Sequence, residues 1–552
     1  MLDRSGEVDA ALDAYGKAAW NLTWRDAAHL AMARLMARRG HNCSALDLVR
    51  DAGSPRDPRN QAVCLEVILL RRLGRHDEAK AKIDRLRRLD PLDLWAADLV
   101  GAEVETDGPC LLDVVLEYLS VGEDERGLEV LSSAARCKLP LGQVNIAPLA
   151  HLYRADTLAR LGRDSEAEDA FRDAMAADAT WCFPSRPTDL DLLTRLTRTR
   201  PEAALPFRLL GHQLYHLRRR NEAIDAWRRA IDLDDSDPVT RRNLAVASYN
   251  VDQDAAASLT HYRRAQELAP DDPRLLYEVD QLRKRDGVAP EERLHHLAAR
   301  RELVEQRDDL TVEYAQLLTF EQRPEEALDV LAHRRFQPWE GGEGLVLSAW
   351  EDALSAMARS QLRMGRAEDA VESLRRALEP PPTLGEARHT LANFSALLLP
   401  LGDALQELGR SEGARQAWSQ AASFVGDFRT MAAVPFSDMT YYSVLASQRL
   451  GDDERAARLL DGLATWAEQL DRSVPSVDYF ATSLPSLLLF TEDLARRQRV
   501  EVSVLRAQVA LLRGQPDEAQ RQLDGALTLD PNHPRARQLA SEVGCRSIAE
   551  SR

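Results

Sequence analysis

The chain has 552 residues, 44% of them hydrophobic and 29% charged, with a formal net charge of −17. Its length exceeds what one compact core usually holds, its hydrophobic content excludes a disordered chain, and its acidic balance argues against nucleic acid as the main partner, because phosphate binding needs a basic face. Six cysteines (Cys43, Cys64, Cys110, Cys137, Cys182 and Cys545) contain no CxxC pair and fit a reduced, cytoplasmic setting, while the absence of an apolar leader region and of any run of about 18 apolar residues implies neither export nor a membrane span.

In chain order, Gly6 to Ala18 reads as the second helix of a helical pair, with Ala11, Tyr15 and Ala18 on its apolar face. The chain therefore is expected to start inside a repeat and to expose that face. Ala27 to Arg39 is the next amphipathic helix. Val63 to Pro91, with Ala79, and residues 148–180, with Ala155, Ala167 and Ala174, read as further repeats, and Leu111 to Ala135 between them reads as another helical pair. Trp181 to Pro201 carries three prolines and predicts a connector with one short helix, Leu190 to Leu196. Leu205 to Pro273 follows as two consecutive pairs. Arg274 to Asp286 and Pro290 to Glu305 form another, and Ala315 and Ala327 mark the next. Phe336 to Gly344 (FQPWEGGEG) is the most irregular stretch. Pairs resume around Ala358 and Ala370, then around Gly402 and Trp418. Met431 to Thr440 reads as a loop, Tyr442 to Trp466 as a pair, and Val474 to Leu484 as an irregular insert. Pro485 to Arg497 is apolar at helical spacing, Ala507 to Pro531 is a last repeat, and Pro534 to Val543 is a capping helix. Nothing alternates with period two over enough residues for a sheet, so helix should cover at least roughly 65% of the chain, far above the ~30–35% usual for globular proteins.

Phe207, Leu210, Gly211, Ala223, Trp227 and Ala230, then Leu244, Ala245, Ala257, Tyr262, Ala265 and Pro270, resemble two tetratricopeptide repeats. That unit has ~34 residues in two antiparallel helices, where large side chains plug the pair and small ones admit close approach. The expected fold is an all-α, tetratricopeptide-type α-solenoid of antiparallel helix pairs wound into a superhelix. Its expected divisions are N-terminal repeats over 1–180, a connector over 181–203, consensus-like repeats over 204–425 with the irregular loop 336–344, and C-terminal repeats with a capping helix over 426–552. RNLAVASYN at Arg242, LLYEVDQLRK at Leu275, RDDLTVEYAQLL at Arg307, FQPWEGGEG and VDYFATSLPSLLLF at Val477 are further similar to the C-terminal array of a bacterial family. Its members join such an array to an N-terminal mutarotase-like β-sandwich of unknown function. This second resemblance implies a carbohydrate-related role and a mutarotase-like partner domain on the same or a neighbouring gene. It supplies no catalytic residue.

In such arrays the first helix of each pair lines the concave face, and residues one repeat apart stack along it. Arg208, His212, Tyr215 and His216 should therefore continue into Arg242, Asn243, Val246, Tyr249 and Asn250, then into Tyr277, Glu278 and Gln281. That is a polar, aromatic stripe suited to sugar hydroxyls or to a peptide backbone; the plainer alternative is a solvated groove. Asn243 has no asparagine counterpart at Leu209, Ala356 or Pro400, which weakens a general peptide-reading ladder. His212 and His216 stand four apart as zinc ligands do, without the glutamate or third ligand a site needs. In the irregular loop, Trp339 offers a stacking platform, Glu340 and Glu343 offer acceptors, and the glycines permit close approach; alternatively Phe336 and Trp339 plug a tight turn. No catalytic dyad, cofactor motif or metal site emerges. The leading expectation is a non-catalytic scaffold binding a protein or carbohydrate in its groove. Two others stay open: a fragment of a carbohydrate-active enzyme completed by the 336–344 loop, and a plain protein–protein adaptor.

Overall fold

A computed structural model describes residues 7–52, 59–102, 106–136, 142–339, 341–429, 432–475 and 489–550. Helix accounts for 74% of the chain. The described residues fall into two units, 1–236 and 237–552. In the first, the helices are α1 (Val8–Ala18), α2 (Leu22–Arg38), α3 (Asn42–Asp51), α4 (Asn60–Arg72), α5 (His76–Leu89), α6 (Leu94–Leu99), α7 (Gly108–Val121), α8 (Asp124–Ala134), α9 (Ala147–Arg160), α10 (Asp164–Ala176), α11 (Pro187–Thr199), α12 (Ala204–His216) and α13 (Arg220–Leu233). The second holds α14 (Pro238–Asn250), α15 (Ala255–Leu268), α16 (Pro273–Arg285), α17 (Pro290–Ala298), α18 (Arg301–Val304), α19 (Asp308–Phe320), α20 (Pro324–Ala332), α21 (Leu345–Arg363), α22 (Ala367–Leu378), α23 (Ser395–Glu407), α24 (Ser411–Ser423), α25 (Thr440–Leu450), α26 (Asp453–Arg472), α27 (Leu494–Leu512), α28 (Pro516–Leu529) and α29 (Pro534–Glu550). Each helix packs mainly on its neighbours in sequence, as in a solenoid. The fold is an all-α, tetratricopeptide-type α-solenoid.

Local sequence explains the pairing. Asp237 precedes Pro238, and its carboxylate accepts from the Thr240 N–H at 2.9 Å, capping α14; Asp254 and Asp272 cap α15 and α16 in the same way. An acceptor at the cap and proline in the first turn satisfy or remove amide donors that the helix leaves unpaired. Close approach within a pair needs a missing side chain. A Cβ on Gly211 would lie 2.3 Å from Trp227 Nε1, and one on Gly402 would lie 2.3 Å from Trp418 Nε1. The same glycine–tryptophan contact is thus built twice, once in each unit.

Three expectations change. Between 181 and 201 the helix is longer than Leu190 to Leu196. Pro187 occupies its first turn, and Asp189 accepts from the backbone N–H groups of Ser185 and Arg186 at 3.0 and 2.9 Å, so the proline starts the helix instead of breaking it. The 431–440 loop includes part of a hairpin, β1 (Asp427–Arg429) paired antiparallel with β2 (Ala432–Val434). The expected helical spacing after Pro485 begins only at Leu494 in the described residues, and residues 489–493 are non-helical. Most of the Val474 to Leu484 insert lies outside the described residues. At the N-terminal edge Ala11 is buried, while Tyr15 and Ala18 are half-buried. The exposed apolar groups lie just beyond, at Trp20, Leu22 and Trp24.

Candidate functional site

In the first unit, three of the expected groove residues are engaged. Arg208 donates to the Asp234 carboxylate at 2.5 Å and to its carbonyl at 3.2 Å. His212 Nδ1 accepts from the Trp227 indole at 3.1 Å. The Tyr215 ring lies 5.3 Å from that of Trp227. His212 and Tyr215 therefore border the tryptophan that plugs α12 against α13. No group of three or more potential metal ligands occurs among the described residues.

In the second unit, α14 and α16 bring Arg242, Asn243 and Glu278 together. Arg242 holds Glu278 through both carboxylate oxygens, at 2.7 and 2.6 Å, and donates to Asn243 Oδ1 at 3.1 Å. Arg274 adds a contact to Glu278 at 2.8 Å, and the buried Tyr262 hydroxyl donates to the same carboxylate at 3.0 Å. Glu278 is only 2% exposed. Burial pushes its pKa up, but the arginine bonds outweigh that and hold it below the usual carboxylate range. Glu278 was expected to offer an open acceptor to a ligand; the structure gives it to the protein's own cations, because a buried charge must be paired. Tyr277 packs under Arg307, whose guanidinium lies 5.4 Å from its ring centre. Gln281 is buried and its Nε2 has no hydrogen-bond partner.

The feature that sequence spacing did not reveal involves Asn250 and Tyr249. Asn250, the last residue of α14, donates from Nδ2 to the Leu489 carbonyl at 2.9 Å. Its Oδ1 accepts from the Thr491 N–H at 2.8 Å. Between those two residues Phe490 is fully buried. The Phe490 ring meets Tyr249 edge-on at 5.0 Å and Tyr262 at 6.3 Å, with the Arg285 guanidinium 5.6 Å away. Val246, Leu275, Val279 and Leu282 complete this cluster. One side-chain amide thus takes the carbonyl before, and the N–H after, a buried aromatic. A peptide group of a neighbouring strand makes the same pair of bonds. Only the distance in sequence hid the contact, since nothing local links residue 250 to residue 490.

The irregular loop closes on itself. Phe336 is buried, and its N–H donates to the Thr383 carbonyl at 2.9 Å. Trp339 is half-buried against the core, and a Cβ on Gly342 would lie 1.9 Å from its Cε2. Trp339 is therefore part of a plugged turn and not an open stacking platform; a ring this size is more stable folded onto backbone than left in water. Backbone amides of Leu347, Gly344 and Val346 face the Glu386 carboxylate, whose pKa burial keeps raised against them. Glu343 is exposed. Glu340 lies outside the described residues.

No family model matches the chain. Among solved structures it is similar to YrrB, described as "a TPR protein with an unusual peptide-binding site", at 18% identity over 34% of this chain and 91% of that one, with a TM-score of 0.27. It is similar to the P58(IPK) TPR domain at 13% identity over 96% and 99%, with a TM-score of 0.22. It is also similar to a chain of the APC/C hetero-tetramer Cut9–Hcn1 at 12% identity over 92% and 94%, with a TM-score of 0.23. None of the three superposes closely enough to carry an argument about this chain, whose fold rests on its own helix pairing.

Proposed function

We propose that the chain is a repeat scaffold that binds protein segments through main-chain contacts on the first helices of its pairs. The observation that supports this reading is the Asn250 amide, which already holds a non-helical main-chain segment, bent at Leu489 and Phe490, by one carbonyl and one N–H. Backbone-directed bonds recognise any extended peptide, and neighbouring pockets add side-chain preference. Arg242 and Asn243 stand on the same helix, α14, and Tyr277 on α16, within the same unit. A carbohydrate ligand and a mutarotase-like partner rest on sequence resemblance alone. The stripe's strongest acceptor, Glu278, is spent on arginines of the same unit, which favours the peptide reading. The test is to pan a library of short extended peptides over the immobilised full chain and, in parallel, to probe the chain on a glycan array. Retention of peptides without retention of glycans is expected. Retention of glycans with no peptide retained would reverse the reading.

A further inference from the structure

We propose that residues 489–491 are an internal ligand: they occupy a site whose external partner is a peptide carrying a phenylalanine, so the protein is self-blocked at this point. The inference rests on the scaffold reading and names its ligand class. Two observations point the same way. The Asn250 amide makes two bonds, to Leu489 O and Thr491 N, both to main chain and neither to a side chain. Such bonds would form equally with any segment that follows the same bend and presents a carbonyl and, two residues on, an N–H. The pocket beside it is specific: Tyr249 and Tyr262 meet the Phe490 ring edge-on and the Arg285 guanidinium lies over it, an aromatic and cationic lining that favours an aromatic guest.

A segment tethered in the same chain competes at an effective concentration of about millimolar. A free peptide of similar affinity is therefore excluded unless the internal segment is weakened or the external sequence is better. Phe490→Ala empties the pocket while keeping the main chain. Thr491→Pro removes the N–H that Asn250 accepts but keeps every pocket side chain.

The experiment measures fluorescence anisotropy of a labelled Leu-Phe-Thr-Glu-Asp peptide, the sequence of residues 489–493, against the full-length protein. Wild type should bind it at least tenfold more weakly than Phe490→Ala or Thr491→Pro. A Leu-Ala-Thr-Glu-Asp peptide should bind all three proteins poorly. Adding Asn250→Ala to Phe490→Ala should abolish the gain. Circular dichroism confirms that each variant is folded. The proposal is overturned if folded variants bind no better than wild type, or if the alanine peptide binds equally well. It is also overturned if neither variant folds, because the segment is then an integral part of the core. Library peptides retained by wild type, with this peptide ignored by both variants, would sink the internal-ligand inference and leave the scaffold reading standing. No peptide retained by any of the proteins would sink both.

Discussion

At the scale of single residues, the side chains that sequence spacing placed in a groove divide into plugs, ion pairs and one main-chain reader. Trp227 is 2% exposed and donates to His212, so Trp227→Ala should cost ~3–5 kcal/mol, the usual result of deleting a buried aromatic. Tyr249→Ala loses mainly the edge-on contact with Phe490 and should cost less, about 1–2 kcal/mol. Gly211→Ala drives a methyl into the Trp227 indole and should cost about 1–3 kcal/mol through overpacking. Urea melts of the three variants check this order; a Tyr249 variant as unstable as the Trp227 one would refute it. Glu278 makes a separate prediction. Its folded pKa lies below that of the unfolded chain, so its stabilisation is complete above the ordinary glutamate value of ~4.3 and is lost as pH falls through the lower folded value. Glu278→Gln should therefore be less stable than wild type at neutral pH, and the gap should narrow in acid. A gap that stays constant from pH 7 to pH 3 would show that the charge is not what matters.

At the scale of elements, the helix pairs were legible because each is encoded locally. An apolar face, a small residue at the crossing and an Asp-Pro boundary recur, and these suffice to place α12 to α15 within a few residues. What was not legible has no local code. The helix α11 was shortened by counting Pro187 as a breaker when it stands in the first turn. The 427–434 hairpin is too short to show alternation. The Asn250 contact joins residues about 240 apart, and periodicity says nothing about such a pair. The N-terminal edge is an intermediate case: an apolar face was expected on α1, and the structure puts the most exposed groups at its end and in α2. Trp20 is 87% exposed, Leu22 75% and Trp24 62%. Substituting all three with serine should change stability by no more than about 0.5 kcal/mol per site, as usual for surface positions, while lowering the binding of an apolar fluorescent dye. A large loss of stability would mean that these side chains are covered in solution.

At the scale of the whole molecule, the second unit departs from the nearest-neighbour behaviour of an open repeat array. In such an array each repeat touches only the next. Here Arg293 of α17 donates to Asn532 Oδ1 at 2.8 Å, and Asn532 Nδ2 donates to the Val288 carbonyl at 3.1 Å. Arg496 donates to the Arg285 carbonyl at 3.2 Å. The α27–α29 end is thereby fastened to α16 and α17, and residues 237–552 should lose structure as one cooperative block. Arg293 is the centre of that fastening. It is 1% exposed, it holds Asp280 through two bonds at 3.0 and 2.5 Å, and it reaches Glu313 at 2.9 Å. Arg293→Met keeps most of the volume but leaves Asp280 buried with no bonded cation, which should cost ~3–5 kcal/mol at pH 7. The pH dependence of that loss identifies its cause. Burial already holds the folded pKa of Asp280 above its ordinary value and Arg293 opposes that shift; without Arg293 the shift grows, because burial and Glu313 are then opposed only by Lys284. A group shifted that way stabilises below its unfolded pKa and loses that contribution as pH rises. The deficit of Arg293→Met relative to wild type should therefore shrink between pH 7 and pH 5. Adding Asp280→Asn, which removes the stranded charge, should recover part of it at pH 7. Denaturant melts at the two pH values decide the matter: an equal deficit at both, with no recovery in the double variant, would mean that Arg293 acts through packing and its bond to Asn532 and not by neutralising buried carboxylates.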